Sequence, residues 1–282
     1  METAQLKTSL CAFLDVLGFS ERVLSSYREG QEQLLLADVQ RILTTATMHL
    51  RDLQARHRMF TVRFFTDNLV IGYEVWTDGA LHEFMCLCEL VADYQLEMSC
   101  RGLFVRGGIA LGTLAVSDAM VFGDALIRAY ELETRCASYP RVIVHPELKI
   151  AVERALWVSS ETVQNTWRQR LLVDADGYAY VNYLSEAYRP TACKRRVLEL
   201  DTQLLRNHRS HIVTNLRDSA GDMRRWVKWF WVANYHNAFC RTSAANGHQV
   251  GEELLRIEPR KIEAASEGPG ETQRRGPNPH DE

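Results

Sequence analysis

The chain has 282 residues, 46% of them hydrophobic and 24% charged, with a formal net charge of −3. That length supports a sizeable core, the balanced charge excludes a polybasic nucleic-acid or membrane-surface field, and no apolar run reaches the roughly 18 residues of a membrane span. Seven cysteines without paired spacings, and a start (METAQLKTSL) lacking the basic-then-apolar pattern of a secretory leader, point to a reducing, cytoplasmic setting.

In chain order, residues 9–16 (SLCAFLDV) read as a buried strand ending at an Asp, followed by Leu17, Gly18 and Phe19 and a long helical region to about Arg56. Apolar runs at 59–65 and 69–73, joined by Thr66, Asp67 and Asn68, read as a hairpin. Residues 78–100 carry Leu81, Phe84, Met85, Cys88, Leu90, Val91 and Tyr94 on one helical side. A glycine-interrupted strand at 103–116, a helix at 124–138 and a strand at 141–145 follow. The order β-α-β-β-α-β is the ferredoxin-like arrangement of an α+β domain.

Beyond about residue 155 the pattern loosens into strands near 170–182, a helix near 197–218 and an aromatic helix from 221 to 240. The expected division is a core over 1–155, a mostly helical C-terminal subdomain over 156–262 and a disordered tail over 263–282, where apolar side chains almost vanish. The aromatic stretch Trp226, Trp229, Phe230, Trp231 and Tyr235 reads as a packing helix rather than a nucleic-acid stacking surface. Cys86, Cys88, His49 and His57 lack zinc-ligand spacing.

Taken alone, Asp15 reads as a turn or helix-capping residue and Asp67 as a hairpin-turn residue. Taken together, a central first strand beside the hairpin brings both carboxylates to one end of the sheet. Facing carboxylates either shift their proton affinities or hold cations.

The segments AFLDVLGFS (12–20), FFTDN (64–68), VRGGIALG (105–112) and FGDALIRAYELE (122–133) resemble, in this order, the motifs of class III nucleotidyl cyclases. The resemblance implies two Mg²⁺ or Mn²⁺ ions on Asp15, Asp67 and the Val16 carbonyl, and phosphate contacts from Gly18 and Phe19. It further implies a homodimer with active sites at the subunit interface and a nucleoside triphosphate substrate. Two positions depart from it. Ile127 stands where the family has an Asn that orients the ribose, and Glu131 where it has the Arg that stabilises charge on the phosphate. Arg128, Arg135 and Arg106 are the candidate replacement cations; each also reads as a solvated or salt-bridged Arg.

The YELE helix after an RGGI strand, with WVANYHN at 231–237, resembles the bacterial Pycsar cyclases, antiphage enzymes whose cyclic UMP or cyclic CMP activates a separate effector. At the position where purine cyclases read the base stands Arg63, a donor-only side chain that matches the acceptors of uracil better than the cytosine edge. It reads equally as an exposed strand residue paired with an acid. Tyr27 and Tyr130 are candidate stacking partners for the base, and Met120 offers no polar contact. UTP is thus favoured over CTP; a purine cyclase and a catalytically silent nucleotide-binding or dimerisation module stay open.

Overall fold

A computed structural model describes residues 5–56, 60–77, 80–117, 120–190, 198–259 and 261–262. The tail expected from residue 263 lies outside them, as does His57.

Strand β1 (Lys7–Val16) leads into α1 (Phe19–Glu29) and α2 (Glu32–Arg56). The sequence suggests one helical region here, but Gly30 at φ +65° caps α1, its N–H bonded to the Ser26 carbonyl. A left-handed cap of this kind ends a helix and suits glycine. The hairpin follows as β2 (Phe60–Phe65) and β3 (Asn68–Glu74), with Phe65 opposite Asn68. The turn is therefore Thr66 and Asp67 alone, and Asn68, expected in the turn, opens β3.

Next come α3 (Leu81–Ser99), β4 (Val105–Val116), β5 (Val121–Phe122), α4 (Asp124–Arg135), β6 (Val142–Val144), α5 (Pro146–Trp157) and α6 (Glu161–Arg170). The chain continues through β7 (Leu171–Val173), β8 (Ala179–Val181), a 3₁₀ turn (Tyr183–Ala187), β9 (Tyr188–Pro190) and β10 (Leu198–Leu200). It closes with α7 (Thr202–Asp218), α8 (Met223–Ala245) and α9 (Glu252–Leu255).

The main sheet runs β2-β3-β1-β4-β6-β8-β7, with β5 on β4. Its first four strands are antiparallel neighbours in the ferredoxin-like order, so the architecture is α+β. Strand β6 joins parallel to β4, and β8 and β7 extend the sheet antiparallel. Residue 155 falls within α5, and β7 and β8 beyond it belong to this same sheet.

The alternation of β1 divides its side chains between two layers. Leu10, Ala12, Leu14 and Val16 join the large core with Phe84, Leu87 and Val91 of α3. Cys11 and Phe13 face the other way, where Ala125 and Ala129 of α4 pack with Val70 and Ala110. Gly108 permits that closeness: a Cβ there would stand 2.5 Å from the Ala129 carbonyl and from the Leu132 Cβ.

Helices α7 and α8 form a second cluster, with Ile212, Leu216, Trp229 and Val232 around Phe104. Polar anchors hold α8 against the sheet. Trp231 Nε1 donates to Asp174 at 2.7 Å, and Tyr235 Oη donates to Asn182 at 2.7 Å while accepting from the Leu184 N–H at 2.9 Å. Buried Arg141 pairs with Asp174 and Asp176 and lies near the rings of Tyr139, Tyr180 and Trp231. The aromatic helix is a packing helix, as its spacing suggests.

Candidate active site

Register brings the two aspartates together. Asp15, next to last in β1, stands opposite Asn68 on β3 and opposite Arg106 on β4. Asp67 immediately precedes Asn68, so the hairpin turn delivers its carboxyl to the end of β1, close enough to Asp15 to raise its proton affinity. Thr66 holds the turn at φ +54° and donates its hydroxyl to Asp67 Oδ1 at 2.7 Å. A β-branched residue in the left-handed region is strained, here in the segment that aims a carboxylate.

Arg106 spans the cluster. Its Nε donates to Asp15 Oδ2 at 3.1 Å, and its Nη2 stands 2.6 Å from Glu133 Oε1 on α4. Glu133 is only 3% exposed. Burial pushes the Asp15 carboxyl above its usual range; Arg106 opposes this and the neighbouring Asp67 reinforces it. Burial likewise raises Glu133, again opposed by Arg106 and reinforced by Asp15 and Asp67. Three carboxyls, Glu133 buried and Asp15 and Asp67 partly so, stand against one guanidinium and concentrate hard oxygen donors here. Such a donor set fits magnesium or manganese. Among the described residues no group of three or more His, Cys, Asp or Glu is placed to hold a metal ion by itself; Val16, buried, ends β1 next to Asp15.

Gly18 takes φ +73° and starts α1 without a side-chain cap, so the first N–H groups of the helix are left without intrahelical partners. Phe19 packs against the main core. Arg63 and Val70 are register partners, which sets Arg63 on the α4 side of the sheet; its Nε and Nη1 donate to the Ser117 and Val62 carbonyls. Tyr130 meets Phe13 edge to face at 5.3 Å, while Tyr27 and Met120 are exposed.

The remaining sequence candidates lie apart from the carboxyl cluster. Arg128 pairs with Asp124 at 3.2 Å and Glu147 at 3.0 Å, and Arg135 with Glu131 at 3.4 Å. Of the three candidate cations, Arg106 is the one that touches Asp15.

Glu133 was not singled out from the sequence, although the signal is there: it lies beside Leu132 on the stripe of α4 that carries Ala125 and Ala129, and so faces the sheet. Lys228 and Arg225, on the aromatic helix, were also not singled out. Arg225 reaches Glu21 in the first turn of α1 at 3.4 Å, and Lys228 lies within electrostatic reach of Arg106.

No family model matches the chain, and no curated protein matches it. Among solved structures, the guanylyl cyclase Cya2 is similar at 14% identity and a TM-score of 0.37, covering 64% of this chain and 93% of that one. A bacterial light-regulated adenylyl cyclase is similar at 16% identity and a TM-score of 0.39, covering 75% and 58%. A class III adenylyl cyclase-like ATP-binding protein from Pseudomonas aeruginosa stands at 14% and 0.38, covering 57% and 37%. Likenesses this distant carry no weight for activity, which has to be argued from the residues themselves.

Proposed function

We propose that this chain is a nucleotidyl cyclase, closing a nucleoside triphosphate to a 3′,5′-cyclic nucleotide with release of pyrophosphate. The observation that carries the reading is the meeting of the Asp15 and Asp67 carboxyls beside the uncapped start of α1. Mg²⁺ or Mn²⁺ held by Asp15, Asp67 and the Val16 carbonyl supplies, when bound, acidification of the ribose 3′-hydroxyl and neutralisation of the departing charge. The N–H groups after Gly18 and Phe19 receive phosphate oxygens. Arg106 keeps Asp15 oriented and offsets the charge of Glu133 behind it.

Arg63, on the same side of the sheet, is a donor-only side chain and so favours uracil over cytosine, giving cyclic UMP as the first product to seek and cyclic CMP as the second. Tyr130, half exposed beside Phe13, offers a flat face to a small base. The working unit is a homodimer, with the exposed residues of α4 and β5 at its interface. By resemblance, the product signals to a separate effector in antiphage defence.

A second reading, a catalytically silent nucleotide-binding or dimerisation module, is favoured by Ile127, by Glu131 and by the engagement of Arg128 and Arg135 in other ion pairs. Incubation of the full chain with Mn²⁺ and each of ATP, GTP, CTP and UTP, read by mass spectrometry, separates the two. Cyclic UMP or CMP, abolished by Asp67→Ala with the fold retained, is the expected result. A cyclic purine overturns the base assignment, and no product from any nucleotide overturns the enzyme.

A further inference from the structure

We propose that Lys228 of α8 binds the triphosphate chain of the nucleotide, which makes the C-terminal helical pair a working part of the nucleotide site. This rests on the cyclase reading above and adds to it a residue from outside the ferredoxin-like core.

The first argument is placement. Trp229, the next residue, packs edge-on against Phe104 at 4.9 Å, and the Phe104 carbonyl accepts the Leu17 N–H at 2.8 Å. The neighbourhood of Lys228 is thus one link from the turn between β1 and α1. One helical turn earlier, Arg225 ties α8 to Glu21 in the first turn of α1. Lys228 itself lies within electrostatic range of Arg106, Asp222, Arg225 and Glu21. It therefore lies on the stretch of α8 that Arg225 ties to α1, within electrostatic range of the Arg106 that contacts Asp15, near where the phosphates of a nucleotide on Asp15 and Asp67 would extend.

The second argument is the supply of positive charge. Arg106 is engaged by Asp15 and Glu133, Arg128 by Asp124 and Glu147, and Arg135 by Glu131. Arg225 is engaged by Glu21, and Arg22 donates to the Gly102 carbonyl at 3.0 Å. Lys228, for which no carboxylate among the described residues stands within ion-pair distance, is a cation near the site able to meet an incoming anion. A compact ammonium with several donors suits a phosphate oxygen. Burial, reinforced by Arg106, lowers its proton affinity, so an arriving polyanion relieves an existing penalty.

The third argument is rigidity. Trp231 and Tyr235, one and two turns on, are hydrogen-bonded to Asp174, Asn182 and Leu184, which fixes the rotation of α8 and with it the direction of Lys228.

The test uses the full chain with Mn²⁺ and inorganic tripolyphosphate as probe, read by calorimetry. Lys228→Gln is expected to weaken tripolyphosphate binding by about 10-fold or more, the scale of one charge-assisted hydrogen bond. Lys228→Arg is expected to retain most of the affinity. Lys149→Gln, which removes a lysine on α5 paired with Glu153, is expected to leave it unchanged and so controls for overall charge. Lys228→Met, checked by thermal melting, repeats the measurement should the Gln variant misfold. Tripolyphosphate affinity unchanged in Lys228→Gln, or absent from the wild type, overturns the proposal. If cyclic product forms and Lys228→Gln keeps the wild-type KM, the Lys228 assignment fails and the cyclase stands. Lys228-dependent binding without product from any nucleotide supports the anion site and overturns the cyclase.

Discussion

Asp15 concentrates the conflict built into the site. Its carboxyl is partly buried beside Asp67 and Glu133 with one guanidinium for compensation, so its proton affinity is raised in the folded state. A group whose folded pKa lies above its unfolded one stabilises below the unfolded value and loses that contribution as pH rises through the folded value. At neutral pH the ionised side chain therefore costs stability. Asp15→Asn is expected to raise the melting temperature of the metal-free protein while cutting cyclic product by about 100-fold or more. Mn²⁺ should raise the melting temperature of the wild type and leave that of the variant in place, as binding linkage requires. Melting scans with and without Mn²⁺ check both statements.

At the scale of elements, the approach of α4 to the sheet decides where Glu133 sits. Because a Cβ at position 108 would stand 2.5 Å from backbone and side-chain atoms of α4, Gly108→Ala must push the helix outward. The expected cost is about 1–3 kcal/mol, the range for overpacking a core, with Glu133 drawn away from Arg106. Denaturant unfolding and turnover, measured together, test this.

Helices α7 and α8 meet through a buried histidine pair. His208 Nδ1 lies 3.0 Å from His236 Nδ1, Tyr183 Oη 2.8 Å from His208 Nε2, and His236 Nε2 3.2 Å from the Leu254 carbonyl. Only one set of neutral tautomers satisfies this chain: the tyrosine donates to His208, His208 donates to His236, and His236 donates to the carbonyl. Burial holds His208 well below the usual histidine range and lowers His236 to about 4. With folded values depressed, the stabilisation is complete above the unfolded value near 6.5 and is lost as pH falls from there toward 4. His236 alone accounts for roughly 3 kcal/mol over that window. A stability profile between pH 7 and pH 4, with the near-ultraviolet signal of the α8 tryptophans as a second probe, should show the loss.

For the whole molecule, the side of the sheet bearing the carboxyl cluster is covered by α4, whose outer residues stay exposed. Ile127 is 60% exposed and Tyr130 50%, with Phe122 of β5 at 60%. Burial of this apolar surface in a second copy is the expected source of the proposed dimer. The double variant Ile127→Asp, Tyr130→Asp is expected to sediment as a monomer, melt near the wild type and lose turnover by at least about 10-fold.

The sequence by itself determined the βαββαβ order of the first four strands, their ferredoxin-like arrangement, and the placement of Asp15 at a strand end and Asp67 in the adjoining turn. An apolar run at 9–16 ending at an Asp and a turn Asp between two β-rich runs are local signals, and local signals are legible in one chain. Tertiary structure alone decided which charges meet. The sequence left Arg128, Arg135 and Arg106 as equal candidates; β-register set Arg106 against Asp15, while helix direction turned Arg128 toward Glu147. Lys228, more than 200 residues from Asp15 in the chain, is brought toward it by packing and polar contacts of α8, such as Trp229 on Phe104 and Arg225 on Glu21. Contacts of that kind arise from packing between distant segments, and neither periodicity nor spacing in one chain encodes them.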